Sequence, residues 1–142
     1  MIENNNFKKL SRENILKCIL ITLGIGLLSF LPILIRNNGQ YMDYGDYFLQ
    51  YVPFIKELKR MVLSGNLSWS WNSFLGDNFT RGYSYYTIFN PFAWFVALFP
   101  DRYILYGTFI ATLIKLVICS LSSMLYFSLF TKEERYALIG SI

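Results

Sequence analysis

The sequence predicts an all-α membrane protein. It reads as two transmembrane helices and the start of a third, with a 66-residue outer loop containing interfacial amphipathic helices. Three observations carry this. Two apolar runs are each long enough to cross a bilayer. Only 15% of the 142 residues are charged, against roughly 25% in a typical soluble domain. Of the 27 aromatic residues, 18 fall between the two runs, where Tyr and Trp suit a membrane–water boundary.

Composition also excludes chemistry. Histidine is absent, which removes His-dependent triads and imidazole acid–base catalysis. Two cysteines without paired spacing make neither a disulfide framework nor a Cys-based zinc site. The net charge of +4 is spread along the chain, so no basic stripe marks nucleic acid as a partner.

Residues 1–17 form a cytoplasmic N-terminus holding Lys8, Lys9, Arg12 and Lys17. Residues 18–36 are the first span, beginning with the 18-residue uncharged run Cys18 to Ile35 and closed by Arg36. At about 1.5 Å per residue that run nearly matches the ~30 Å hydrocarbon layer. It exceeds the roughly 7–15 residues of a signal-peptide core, and no small-residue cleavage site follows, so it reads as an uncleaved anchor. Residues 103–131 are the second span, and 132–142 a cytoplasmic turn and the start of a third. Lys132 and Arg135 then share the cytoplasmic side with the N-terminal bases, as the positive-inside rule asks. Residues 37–102 are placed outside. This pattern leads us to expect the N-terminal piece of a longer, multi-pass protein of the cell membrane.

Within the loop, apolar positions from 47 to 62 recur near a 3.6-residue period, predicting an amphipathic helix over about 47–63. Lys56, Glu57, Lys59 and Arg60 fall on its other face. Pro53 predicts a kink and Gly65 a C-terminal cap. A second apolar stretch, about 90–99, starts with Asn90 as N-cap and Pro91 as first helical residue, and is too short to span. Between them Trp69, Trp71, Gly76 and Gly82 predict a compact irregular segment. Its rings are either a rim for sugar or lipid, or interface anchors.

All four aspartates, Asp43, Asp46, Asp77 and Asp101, lie in the loop. Asp43 and Asp46 follow the first span closely, at the outer surface. Carboxylates there can hold a divalent cation or take a proton from a hydroxyl. Spacing alone favours a plainer reading, with Asp46 capping a helix and Asp43 in a turn. Lys115 sits inside the second span, at a cost of roughly 2.5–3.5 kcal/mol. Thr108, Ala111, Thr112, Cys119 and Ser122 flank it as a small, polar stripe, and Cys18, Thr22, Gly26 and Ser29 make another on the first span. The stripes are expected to meet each other or further helices. Lys115 then pairs with a lipid phosphate or a buried structural partner.

Gly45-Asp46, Gln50, Pro53, Gly65, Trp69-Ser70-Trp71-Asn72 and Gly76-Asp77 together resemble the opening of YfhO-type bacterial membrane proteins. Tyr85-Tyr86, Asn90-Pro91-Phe92, Phe99-Pro100 and Lys115 continue the resemblance in order, which runs from about Ile15 to the end. That family resembles the GT-C class of polytopic glycosyltransferases. The resemblance implies a polyprenyl-phosphate sugar as donor and a cell-wall polymer such as teichoic acid, or lipoteichoic acid, as acceptor. It also implies that Asp46, with Asp43 beside it, is the acidic catalytic site. Gln50, Trp69, Trp71, Asp77, Arg81 and Lys115 are the expected substrate-binding residues, with Arg81 and Arg102 the loop bases able to meet a leaving phosphate. A divalent cation is compatible with the acidic pair, and the metal requirement stays open. Family members have many more spans, so the piece alone is expected to be inactive. Two other readings stay open: a transporter or flippase component with Lys115 on the path, and a non-catalytic membrane accessory protein.

Overall fold

The computed structural model describes residues 10–41, 45–72, 76–131 and 133–142. The chain is mostly helical, and two helices are long and apolar enough to cross a membrane: Arg12–Arg36 (α1) and the stretch Asp101–Ser128 that contains α5 (Ile104–Ser128). Pro32 lies inside the last turns of α1. The chain divides into two compact units. One is Met1–Pro32 with Thr112–Ile142, the other Ile33–Ala111.

In the first unit α1 and α5 meet a seven-residue helix, α6 (Glu134–Gly140). Cys18, Met124 and Ala137 are fully buried together, with Leu10, Leu121 and Leu138 around them. Polar atoms among these helices satisfy one another. Thr22 Oγ1 donates to Ser120 Oγ at 2.9 Å, and Ser120 Oγ donates to the Ser141 carbonyl at 2.7 Å. Asn14 Nδ2 and the Ser11 backbone N–H both donate to Glu134 Oε2, at 2.7 and 3.1 Å. The small stripe of α1 meets α5, with Gly26 against Leu113 and Leu116, Thr22 bonded to Ser120, and Cys119 of the Lys115 stripe lining a cleft with Thr22, Gly26 and Ser29. Cys119 and Ser122, on the Lys115 stripe, are exposed.

The second unit is built on one amphipathic helix. Residues Tyr47–Tyr51 form a π turn that leads into α2 (Val52–Ser64). Pro53, which has no N–H to donate, thereby sits in the first turn of α2. The expected kink takes the form of that widened turn. Gly65 ends α2 at φ 70°, and Asn66 N–H reaches back to the Met61 carbonyl at 3.1 Å. This left-handed position suits glycine. A two-residue hairpin follows, β1 (Trp69–Ser70) with β2 (Asp77–Asn78), antiparallel with Trp69 opposite Asn78. Next come the short helices α3 (Phe79–Tyr83) and α4 (Pro91–Ala97). Asn90 Oδ1 accepts from Phe92 N–H at 3.0 Å, with Pro91 beginning the helix. A 3-10 turn, Asp101–Tyr103, joins α5.

Val52, Ile55, Leu58 and Met61 line one face of α2 and are buried with Phe79, Tyr83, Ala93, Val96, Ile104 and Ala111. This corrects the expectation that α2 lies with its apolar face on the bilayer. Amphipathicity states that one face avoids water, and in this unit the other elements of the loop cover it. Exposed apolar side chains remain elsewhere on the unit, including Leu63, Tyr85, Phe89 and Leu98.

Candidate functional site

Asp46 lies in helical backbone immediately before the π turn, one turn ahead of Gln50. Side chains four residues apart on a helix are neighbours. Gln50 Nε2 donates to Asp46 Oδ1 at 3.3 Å. Asp46 is also a candidate cap for a helix starting at Tyr47, but it lies within helical backbone that already runs into the π turn. Instead Asp46 and Gln50 share a small cleft of about 270 Å³ with Tyr51, Phe54 and Tyr86. Phe54 packs edge-on to Tyr83, centroids 4.6 Å apart, and leans on Tyr86 at 5.8 Å. The cleft thus has one carboxylate, one amide and three aromatic walls. Asp43 lies outside the described residues. Among the described residues no three His, Cys, Asp or Glu side chains come together.

Phe54 also borders a second, larger cleft, of about 610 Å³. Here sequence reasoning missed an ordered network. Arg60 Nε and Nη2 donate to the two oxygens of Glu57 at 3.0 and 2.5 Å, and Nη2 also reaches Ser70 Oγ at 3.1 Å. Ser70 Oγ donates to Glu57 in turn, and accepts from Asn72 N–H at 3.2 Å. The bidentate Arg60 guanidinium holds the Glu57 carboxyl below the usual carboxylate range, against the opposing effect of burial, with Ser70 and Asn72 assisting. Only 14% of the Glu57 side chain is exposed. The three-residue spacing of Glu57 and Arg60 was visible in the sequence, but nothing in it announced that Ser70 would close the network across the hairpin.

A scan against known protein families matches the family model described as bacterial membrane protein YfhO, over residues 18–142. The chain belongs to the YfhO family. No curated protein and no solved structure matches it.

The remaining site residues expected for this YfhO protein are dispersed. Trp69 and Trp71 pack edge to face at 5.5 Å, with Trp71 76% exposed. Gly76 fits against both rings at φ 100°; a Cβ there would come within 2.9 Å of Trp71 and 3.0 Å of Trp69. Asp77 Oδ1 accepts from its neighbour Asn78 N–H at 2.7 Å. Arg81, in α3, borders a separate surface cleft with Gly65, Asn66 and Thr80. Lys115 belongs to the other unit, in α5. Of the expected set, Asp46 and Gln50 are brought together in one cleft, and Trp69, Trp71, Asp77 and Arg81 do not line it. A contact absent from the expectations joins α2 to the turn before α5 within the same unit. Lys59 Nζ donates to the Phe99 carbonyl at 2.9 Å and to Asp101 Oδ1 at 2.7 Å.

Proposed function

We propose that this YfhO protein is a GT-C-type membrane glycosyltransferase, moving sugar from a polyprenyl-phosphate carrier to a cell-envelope polymer such as teichoic acid. The loop 37–102 is then extracytoplasmic, and the N-terminus cytoplasmic. The observation that carries the reading is the Asp46 cleft. An exposed carboxylate sits beside an amide, walled by Tyr51, Phe54 and Tyr86. A general base needs a carboxylate within hydrogen-bond reach of the hydroxyl it deprotonates. Gln50 engages Oδ1, which orients the carboxylate and points to Oδ2 as the oxygen that takes the proton. The acceptor oxygen attacks the anomeric carbon, and the sugar–phosphate bond breaks as the lipid phosphate leaves. Aromatic faces suit the apolar faces of a sugar ring, while a few polar groups set its orientation. A lipid-borne donor reaches a carboxylate at the bilayer surface without leaving the membrane.

The test is donor dependence. Membranes from cells carrying the gene, supplied with labelled polyprenyl-phosphate sugar, are expected to label the polymer; membranes from a deletion strain are not. Equal labelling by the deletion strain would overturn the proposal, as would transfer from a nucleotide sugar with the lipid carrier absent.

A further inference from the structure

Between Arg81 and Asp101 the chain carries no charged residue. Pro91, Trp94 and Leu98 recur three and four residues apart, so they share one face of α4 and its last turn. All three are exposed. Leu98 is 82% exposed, and Phe89, just before the helix, 79%. The opposite face, Ala93 and Val96, is buried in the cluster that also holds Ile104 and Ala111 of α5. Phe99 fixes the depth of this segment. Its ring lies on Gly107, where an added Cβ would come within 2.8 Å of it. Gly107 is one turn into α5 and beyond Arg102, the last charge before Lys115. The chain leaving α4 therefore packs beside the apolar part of the Asp101–Ser128 stretch. Polar groups add a second constraint. Thr87, Asn90 and Trp94 are the polar side chains between Tyr86 and Asp101. Trp94 Nε1 donates to the Ile88 carbonyl at 2.8 Å, and Thr87 Oγ1 to the Tyr83 carbonyl at 2.8 Å. Asn90 Oδ1 accepts from Phe92 N–H at 3.0 Å, and its Nδ2 donates to the Tyr86 carbonyl at 3.4 Å. Lys59 Nζ closes the Phe99 carbonyl at 2.9 Å. Groups in hydrocarbon must be satisfied within the protein. A protein partner would instead want about one hydrogen bond per 100–200 Å² of interface, and these side chains have already spent theirs.

We infer that residues 87–98 form a lipid-immersed wedge, with Phe89, Trp94 and Leu98 among the acyl chains of the leaflet in which α5 begins. The wedge enters the bilayer without crossing it. Helix α4 has seven residues, a length of about 10 Å at 1.5 Å per residue, which fits within one leaflet of the ~30 Å hydrocarbon layer. Removing its exposed apolar side chains from water is favourable, and no charge between Arg81 and Asp101 opposes it. Tyr85 marks the polar rim of the wedge, because a ring bearing a hydroxyl suits the boundary. It packs edge-on to Tyr86 with centroids 5.5 Å apart. Tyr86 in turn lines the Asp46 cleft, so immersion sets that cleft beside the lipid surface. The inference rests on α5 as a span and needs no transfer chemistry at Asp46, so either can fail alone.

The test uses the full chain with Trp69→Phe and Trp71→Phe, which leaves Trp94 as the one tryptophan. It is reconstituted into phosphatidylcholine vesicles whose acyl chains carry bromine, and into unbrominated ones. The expected result is loss of most Trp94 emission in the brominated vesicles, with no loss to iodide present on both sides of the membrane. Quenching by iodide would place the ring in water and overturn the inference. Emission that neither quencher reaches would also overturn it, and would assign the face to a protein contact such as a second copy. Leu98→Cys, in a chain with Cys18 and Cys119 replaced by serine, gives an independent reading if the tryptophan variant is unstable. A nitroxide attached there is expected to collide with dissolved oxygen in preference to a water-soluble nickel chelate. Preference for the chelate would contradict immersion.

Discussion

Asp46→Asn, placed in the chromosomal gene, is expected to cut sugar transfer at least about 100-fold, the lower end of what a positioned general base contributes. That loss corresponds to roughly 3 kcal/mol of transition-state stabilisation. The change is nearly isosteric. Asn keeps the oxygen that accepts from Gln50 Nε2, so the π turn and α2 should be undisturbed. Asp46 is exposed and absent from the buried core, which leaves little room for a folding explanation. Transfer is read as labelled polymer per membrane-inserted protein. Wild-type transfer by a correctly inserted variant would remove Asp46 from the chemistry, and the glycosyltransferase reading would lose the observation that carries it.

Phe79→Ala should have the largest effect on stability. Phe79 is fully buried at the start of α3, stacked on Tyr83 with centroids 5.4 Å apart. It packs in the cluster that covers Val52, Ile55, Leu58 and Met61. Truncating a buried Phe typically costs about 3–5 kcal/mol through lost transfer energy and a residual cavity. Helix α3 has five residues and is held at its start by Asn78, whose side chain accepts from Arg81 N–H at 2.9 Å. It has little local stability of its own, because isolated helices shorter than about 12 residues are marginal. The expected outcome is rapid proteolysis within the 37–102 segment in the membrane, with both spans still inserted. Leu63→Ala, at a side chain 80% exposed, should digest like wild type. Equal protease resistance of the Phe79 and Leu63 variants would show that the buried cluster does not hold the unit together.

The two helices long and apolar enough to cross a membrane were legible because burial in lipid demands long apolar runs, and the sequence has two. The amphipathic period around Ile55 and Leu58 was equally legible, as were the turn at Gly65 and the Asn90-Pro91 helix start. What covers the apolar face of α2 was not. Phe79 and Val96 lie 24 and 41 residues beyond Ile55, and nothing local distinguishes a face meeting them from one meeting acyl chains. The site divides along the same line. Asp46 and Gln50 are four residues apart on helical backbone, so their pairing is a local matter. The Glu57–Arg60–Ser70 network depends on a hairpin folding back on α2, a tertiary event that residue spacing does not encode. Trp69 and Trp71 stood out by composition, yet they pack on each other at the hairpin and stay outside the Asp46 cleft.

The most direct measurement is the sidedness of position 46. In a variant with both native cysteines, Cys18 and Cys119, replaced by serine, Asp46→Cys is treated on intact cells with a membrane-impermeant maleimide. The expected result is labelling from the outside, unchanged in extent when the cells are permeabilised. Labelling that appears only after permeabilisation would place the carboxylate in the cytosol, away from a donor used at the outer leaflet, and would contradict the proposed site.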